Sequence, residues 1–406
     1  MKKNIWLINY HAYPPGKSKW TRHFDLFKNI SDKFNFVIYG ASYIHDTGEQ
    51  ILEKKEKIRD EIYCEIKYKT IKTLSYKNMY KRYISYINFL FRVFKESKKE
   101  NKPDIIIGSS PDLIMGLGAY LLSKRYKAKF IFEIRDVWPE TLVQLNVISR
   151  RGIFYFLFRK LEKFLYKKAD KIIITAPGIK EHILETLKIE ESNKIHYINN
   201  GVDLVKFYKN LEKYRGIEIL PQNKFNITYT GAIGLANGLD ILVDTAKKLA
   251  DLEENEIFIN IIGTGPELER LQNKYSGLTN IKFYGSFKKE EIPNILNQSD
   301  CLFFSLKDKE LFKKFGVSPN KLFEYLASSK PIIFSCRAYN DIVKIANAGV
   351  SLIKLDVNSV YEAIIQLKGL KGEEREKLGK NGKKYVEENF EFNILSKKLE
   401  ELLNSL

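Results

Sequence analysis

The sequence predicts an α/β protein of two doubly wound, Rossmann-like domains facing one another across a cleft. Three observations lead there. The chain has 406 residues, too many for a single hydrophobic core. Apolar runs of strand length alternate with helical patterns almost throughout, as in parallel sheets built from βαβ units. The scheme also runs twice, with a polar stretch near residues 208 to 224 that reads as a linker and Gly201 marking the turn before it.

In the first half the strands are NIWLINY (4 to 10), FNFVIYG (34 to 40), DIIIGSS (104 to 110), KFIFEIRD (129 to 136), KIIITA (171 to 176) and IHYIN (195 to 199). The second half has FNITYTG (225 to 231), IFINIIG (257 to 263), NIKFYG (280 to 285), CLFFSL (301 to 306), PIIFS (331 to 335) and VSLIKL (350 to 355). The expected domains are residues 1 to 205 and 206 to 389. A C-terminal helix over about 390 to 406 can pack back on the first. Ligands of open α/β sheets bind at the carboxyl ends of strands, so the cleft is the expected site.

Hydrophobic residues make up 44% of the chain and charged residues 29%, ordinary values for a globular protein, and no apolar run approaches the roughly 20 residues that span a bilayer. The opening MKKNIWLINY has no small-residue cleavage site after its short apolar run and reads as a first strand, which points to the cytoplasm. Cys64, Cys301 and Cys336 are widely spaced and read as reduced core residues; the five histidines form no pair with metal-ligand spacing. A net charge of +18 requires an anionic partner: nucleic acid, anionic lipid or a phosphorylated small molecule.

The stretch SPNKLFEYLASSKP (318 to 331) reads as a short helix capped by Ser318, with Pro319 at its first position and Lys321 in its first turn. A cation there opposes the helix dipole. At 100° per residue Lys321, Glu324, Tyr325 and Ser328 share one side of this helix, with Leu322, Phe323, Leu326 and Ala327 on the other. The helix follows strand CLFFSL at the ligand end of the sheet. Lys321 therefore either faces a bound phosphate, with Glu324 on the paired hydroxyls of a ribose, or forms a solvated i,i+3 pair with Glu324. Gly231-Ala-Ile-Gly234 and Gly263-Thr-Gly265-Pro each follow a strand and let backbone approach a phosphate or sugar closely.

The order of NNGVD (199 to 203), YTGAIGLANGLD (229 to 240), GTGPELERL (263 to 271), YGSFKKEEIP (284 to 293) and SPNKLFEYLASSKPII (318 to 333) resembles the family-4 retaining glycosyltransferases of the two-Rossmann-domain (GT-B) type, over nearly the whole chain. HAYPPGKSKWTRH (11 to 23), SSPDL (109 to 113) and EIRDVWPE (133 to 140) resemble the subgroup that adds amino sugars such as N-acetyl-L-fucosamine to cell-surface polysaccharide. The resemblance implies transfer of a sugar from a nucleoside-diphosphate sugar, UDP favoured, to an acceptor hydroxyl with retained configuration and without metal. It implies an acceptor-binding first domain and a nucleotide-sugar-binding second domain. Donor-site candidates are Gly231, Gly234, Gly263, Gly265, Ser318, Asn320, Lys321 and Glu324. Lys321 doubles as stabiliser of the leaving diphosphate. Asp136 either orients the acceptor hydroxyl or caps the helix after it. Gly16, Lys17, Arg22 and Arg135 lie where such enzymes meet the acceptor and diphosphate; Lys17 and Arg22 are otherwise solvated charges, and Arg135 otherwise pairs with Glu133 or Asp136.

The chain departs from the family pattern in places. Of two Glu residues seven positions apart, Glu324 matches the second, but Gly316 stands at the first. Ala232 and Asn237 stand where an Arg and a Lys usually do, and Arg135-Asp136 where a catalytic His often follows the fifth strand. A non-hydrolysing sugar-nucleotide epimerase shares the architecture but needs acid/base groups flanking the sugar, and none assemble here. No helix-turn-helix, zinc or RNA-binding signature supports a nucleic-acid partner. The charge points instead to an anionic membrane at the cell's inner face, bearing a lipid-linked saccharide acceptor. Residues 76 to 95 contain no acid; Tyr80, Tyr83, Ile84, Ile87, Leu90, Phe91 and Phe94 form one face, with Lys77, Lys81, Arg82, Arg92 and Lys95 opposite, the pattern of an interfacial helix unless this face and that of residues 152 to 168 simply cover the sheet. Residues 152 to 168 are expected to turn Ile153, Leu157, Leu161 and Phe164 to the core and leave Phe156 among Arg159, Lys160, Lys163 and Lys167.

Overall fold

The computed structural model describes residues 2–18, 21–45, 47–76, 78–274 and 276–406. The first sheet comprises β1 (Lys3–Ile8), β2 (Phe34–Ala41), β3 (Ile58–Tyr63), β4 (Ile66–Ile71), β5 (Ile105–Ser109), β6 (Lys129–Ile134), β7 (Lys171–Ile174) and β8 (Ile195–Tyr197). The second comprises β9 (Phe225–Thr230), β10 (Ile257–Ile262), β11 (Ile281–Gly285), β12 (Cys301–Ser305), β13 (Ile332–Ser335) and β14 (Gly349–Ser351). Every run expected to be a strand contains one, although the last, expected over 350 to 355, ends at Ser351. The strands alternate with helices as the apolar pattern requires.

The order in the first sheet is β3-β4-β2-β1-β5-β6-β7-β8, and in the second β11-β10-β9-β12-β13-β14. All neighbours are parallel except β3 and β4, a hairpin that turns at Cys64 and Glu65, both at positive φ. Cys64 is thus exposed in a turn and not a core residue; Cys301 and Cys336 are buried. In each sheet the chain first builds to one side and then reverses. The reversal lies between β1 and β5 in the first and between β9 and β12 in the second. At such points neighbouring connections diverge and leave room at the strand ends.

One unit is Met1–Asn199 with Phe392–Leu406, the other Asn200–Glu391. The chain passes between them at Asn199/Asn200 rather than at 205/206, because the following segment is committed to the second unit. It forms the helix Leu204–Tyr214, capped by Asp203, whose Oδ1 accepts from the Lys206 amide at 2.9 Å. This helix occupies much of the stretch expected to be a linker. The return helix Phe392–Asn404 buries Leu395, Leu399, Leu402 and Leu403 with Leu26, Phe27 and Ile30 in the first unit's core. Ser396 Oγ donates to the Leu26 carbonyl at 2.7 Å, and Lys33 pairs with Glu400 at 2.7 Å.

The helix Met79–Glu96 turns most of its expected apolar face outward, whereas the helix Ile153–Lys168 sits differently from expectation. The first buries Ser85, Tyr86, Phe89, Val93 and Glu96, so the face expected to be interfacial is turned outward: Tyr80 is 76% exposed, Phe91 72% and Ile87 61%. Leu90 instead packs against Gly118 of the helix Leu113–Tyr126. Lys77 lies outside the described residues. The second helix buries Glu162, Leu165 and Tyr166, leaving Ile153 and Leu157 exposed beside Phe154 and Phe156, a correction to the expected core face. A carboxylate is tolerated inside because Arg159, His182 and the Tyr166 hydroxyl all engage Glu162.

Leu399 is 2% exposed in the seam between the return helix and the first unit. Leu399→Ala should lower that unit's stability by about 2–5 kcal/mol, read from its denaturant midpoint. A loss under about 1 kcal/mol would mean the helix is not integral to the core.

Candidate functional site

The second unit concentrates its unusual chemistry at the β9/β12 reversal. The helix Asn320–Ala327 begins one residue later than expected, with Pro319 as its cap and no side-chain capping bond. Ser318 contributes elsewhere: its Oγ accepts from the Asn200 amide at 3.3 Å and its carbonyl from Asn200 Nδ2 at 2.7 Å. Asn340 bonds both the amide and the carbonyl of Val317, at 2.7 and 2.8 Å, and fixes the entry to the helix. Asn320 is exposed at its first position.

Lys321 does not pair with Glu324. Its Nζ donates to the Tyr229 hydroxyl at 2.8 Å, lies 4.1 Å from the Tyr229 ring centroid and 5.3 Å from that of Phe304. Among the described residues it makes no ion pair. Burial without a compensating carboxylate pushes its ammonium down to about 7. The aromatic faces offset part of that penalty. Tyr229 Oη in turn donates to the Ala232 carbonyl at 2.6 Å, and Asn237 Nδ2 reaches both of these oxygens, at 3.1 and 2.9 Å. Asn237 thus braces the turn that carries Lys321's aromatic seat.

Glu324, one turn on, is half-buried 3.8 Å from Lys289. Burial raises its carboxyl, with Lys289 and Lys206 opposing. Tyr325 and Ser328 leave the expected polar face: both are buried, the Tyr325 hydroxyl accepting from the Thr230 amide at 2.7 Å and Ser328 Oγ donating to the Tyr325 carbonyl. Lys321 and Glu324 are the polar pair that face retains.

The glycines divide. A methyl on Gly263 (φ +141°) would stand 1.8 Å from the Gly231 carbonyl oxygen, and one on Gly265 (φ +159°) 2.2 Å from that of Ile233. Both are therefore required first by the packing of one turn on the other. Gly231 lies under Lys321, where a methyl would come 3.3 Å from Cδ. Gly234 is in extended backbone, and a methyl there would meet nothing within 4 Å.

In the first unit the candidates separate more sharply. Gly16 and Lys17 are exposed on a turn. Arg22 is neither a solvated charge nor a ligand-facing one: it is 6% exposed, its Nε and Nη2 donate to Glu133 Oε1 at 3.0 and 2.9 Å, and Nη2 also reaches the Ile198 carbonyl. Glu133 Oε2 takes His23 Nε2 at 2.6 Å and Ser109 Oγ at 2.5 Å. His23 and Arg22 hold the Glu133 carboxyl well below the usual range despite burial. Motif residues from three places, 22 to 23, 109 and 133, thus converge on one buried ion cluster.

Arg135 and Asp136 follow β6, their amides donating to Ser110 Oγ at 2.8 and 3.4 Å. Asp136 is exposed and caps nothing, since the next helix starts at Glu140 with Pro139 before it. Its carboxylate makes no hydrogen bond or ion pair among the described residues.

Sequence reasoning missed a cluster at the β1/β5 reversal of the first unit. His11 Nδ1 lies 3.2 Å from the Tyr13 hydroxyl and Nε2 3.3 Å from that of Tyr86, which also accepts from Arg82 Nε. Buried Asp112 and Tyr76 adjoin it. His11 and Asp112 stood in quoted motifs, but Arg82 and Tyr86 come from a helix read for its apolar face. Among the described residues no three His, Cys, Asp or Glu side chains group as a metal would need.

Glu133→Ala removes the carboxylate that faces the buried Arg22 guanidinium and should cost the first unit about 3–5 kcal/mol, measured by chemical denaturation. Retention of full stability would contradict the structural role.

Residues 55–206 match the family model of Glycosyltransferase Family 4, and residues 210–385 that of Glycosyl transferases group 1. The chain is 24% identical to the putative colanic acid biosynthesis glycosyl transferase WcaI of Escherichia coli K12 over 249 residues, 59% of each protein. Sucrose-phosphate synthase of Thermosynechococcus elongatus superposes with a TM-score of 0.75 at 16% identity, covering 100% of this chain and 99% of that one. The HepE protein of Anabaena, solved in complex with UDP and glucose, does so at 0.69 and 14%, covering 100% of both.

Proposed function

Since the chain is a glycosyltransferase built of two Rossmann-like units, we propose that it transfers a sugar, of the N-acetylated amino or deoxyamino class, from a nucleoside-diphosphate donor to a lipid-linked saccharide during surface-polysaccharide assembly. The donor nucleotide is UDP, the configuration is retained and no metal takes part. The observation that carries the reading is Lys321, a cation held against Tyr229 and Phe304 at a strand-order reversal with no acid among the described residues to neutralise it. A diphosphate supplies the missing anion. The names of two similar proteins, one assigned to colanic acid biosynthesis and one solved with UDP and glucose, agree with this reading.

In that reaction negative charge grows on the departing diphosphate as the glycosidic bond breaks. Lys321 meets that charge, and the open backbone at Gly234 gives the phosphates an approach. Glu324 takes the ribose hydroxyls. Asp136, an unpaired carboxylate at the end of β6, is the group assigned to orient the acceptor hydroxyl.

Lys321→Met and Glu324→Ala should each weaken UDP binding about 10- to 150-fold, the loss of one charge-assisted contact, by calorimetry in excess EDTA. The pH dependence has a definite sign. Free Lys321 loses its proton near pH 7 and must regain it to hold the diphosphate, so wild-type affinity should fall by up to about tenfold between pH 7 and 8. Lys321→Met should be flat over that interval. Unchanged affinity in both variants would remove the donor assignment.

The acceptor is proposed to be presented at the inner face of an anionic membrane. No helix among the described residues is long and apolar enough to cross a bilayer. The outward residues of the helices Met79–Glu96 and Ile153–Lys168 combine exposed Tyr80, Ile87, Phe91, Phe154 and Phe156 with Lys81, Lys95, Lys160 and Lys167. Tyr83 stacks on Phe158 and joins the two helices at 6.2 Å between ring centroids. The protein should co-sediment with phosphatidylglycerol vesicles at low salt and be released at high salt, with Phe91→Ser/Phe156→Ser binding at least several-fold less. Equal, negligible binding to anionic and neutral vesicles would favour a soluble acceptor.

A further inference from the structure

The turn that seats Lys321 is fixed by more than its glycines. Ser305 Oγ, at the end of β12, donates to the Asn237 carbonyl at 2.5 Å, and the Lys307 amide donates to the Ala236 carbonyl at 2.9 Å. Asn237 Nδ2 reaches back across the turn to the Ala232 carbonyl at 2.9 Å and to the Tyr229 hydroxyl at 3.1 Å. That hydroxyl therefore has a full set of partners. Its one proton goes to the Ala232 carbonyl at 2.6 Å, and its two lone pairs take Asn237 Nδ2 and, at 2.8 Å, Lys321 Nζ. A phenol free to rotate could turn its proton toward the lysine; this one would have to give up the carbonyl to do so. It also stays neutral, because burial and the neighbouring Tyr325 raise its pKa.

The other titratable groups on the adjoining elements have partners of their own. Asp308, after β12, pairs with Arg337 and with Lys313 at 3.2 Å, and Asp240, after the turn, with Arg270 at 2.8 Å. On the lysine's own helix Glu324 lies 3.8 Å from Lys289, and the Tyr325 hydroxyl is held by the Thr230 backbone. Lys307 packs its stem beside Gly238. We propose that Tyr229 and Asn237 are positioning residues that hold the Lys321 ammonium, without neutralising it, for the diphosphate of the donor. The proposal rests on the donor reading and adds to it how a turn with no cation of its own, Gly231 to Gly238, serves a diphosphate through one lysine. A backbone carbonyl and a neutral amide orient the hydroxyl so that a lone pair, and not a charge, receives the ammonium. A carboxylate in that place would hold the lysine but cancel the charge that the diphosphate needs, and a ring alone would leave the ammonium without a hydrogen-bond acceptor.

The test is calorimetry of UDP binding to the intact chain in excess EDTA, across the pH range that brackets the loss of the Lys321 proton near 7. The proteins are wild type, Tyr229→Phe, Asn237→Asp, Lys321→Met and the double variant Tyr229→Phe/Lys321→Met. Removing the hydroxyl removes an acceptor that favours the charged lysine, so Tyr229→Phe should bind UDP about tenfold less tightly than wild type at about pH 7.5 but less than about threefold less tightly at about pH 6, where the ammonium is restored. Asn237→Asp sets a carboxylate beside the hydroxyl and favours the charged lysine, so its fall in affinity should move to above about pH 8. In the Lys321→Met background Tyr229→Phe should change affinity by less than about twofold. A turn that had merely loosened would weaken binding by one factor at every pH and would not displace the profile in opposite directions for two near-isosteric changes. Either variant decides the sign alone should the other fail to fold. A loss independent of pH, a loss from Tyr229→Phe that persists in full without Lys321, or wild-type behaviour of Tyr229→Phe throughout would overturn the proposal. Absence of UDP binding in wild type, or equal binding by wild type and Lys321→Met, would be a failure of the donor reading instead.

Discussion

Reversal of strand order is the constraint on which both units depend. A parallel strand must be followed by a crossover, and where successive crossovers part company the ends of two adjacent strands are left uncovered. In the second unit those strands are β9 and β12, and their last residues include Tyr229 and Phe304, the two rings that receive Lys321. In the first they are β1 and β5, followed at once by His11 and by Asp112. Most other strands are apolar and clothed by helices, the exceptions being the charged β3–β4 hairpin and Glu133 on β6.

The two units handle buried charge in opposite ways. Glu133 is closed off: two Arg22 nitrogens, one His23 nitrogen and Ser109 occupy its oxygens, and nothing is left for a ligand. Such an arrangement adds little net stability over an apolar core, but removing one member is expensive, which suits a group whose task is to hold three segments in register. Lys321 is left open. Among the described residues its ammonium has a hydroxyl and two ring faces but no carboxylate, a desolvation penalty that an incoming anion would relieve. The first arrangement is complete in itself, whereas the second has room for the ligand that the proposed function assigns to it.

The strands were legible because their apolar runs are uninterrupted, as burial on both faces demands. The β3–β4 hairpin was missed for the converse reason. IRDEIY and IKYKTI alternate charged and apolar residues, and the turn between them is Cys64-Glu65 rather than a glycine pair. Lys321 was legible because a cation in a first helical turn violates a local rule. Tyr325 was misplaced because the helical wheel cannot reveal that a phenol will reach the backbone of Thr230. Arg22 was misread for a related reason: its partner Glu133 is more than a hundred residues away, and only the packing of the helix Arg22–Phe27 beside β6 brings them together.

The helix Met79–Glu96 shows how one segment can satisfy two periodicities at once. The apolar face read from sequence is mostly left outside, and a second apolar set that the reading did not include supplies the buried side. Tyr86, Phe89 and Val93 turn inward, Leu90 fits the space left by Gly118, and Tyr80, Ile84, Ile87 and Phe91 remain outside. A helix that only covered a sheet would gain nothing from the outer four, each of which leaves apolar surface in water. Their retention alongside surface lysines is consistent with a second surface that the helix meets. Arg82 lies at the boundary between the two faces, its guanidinium against Tyr86 on the inner side.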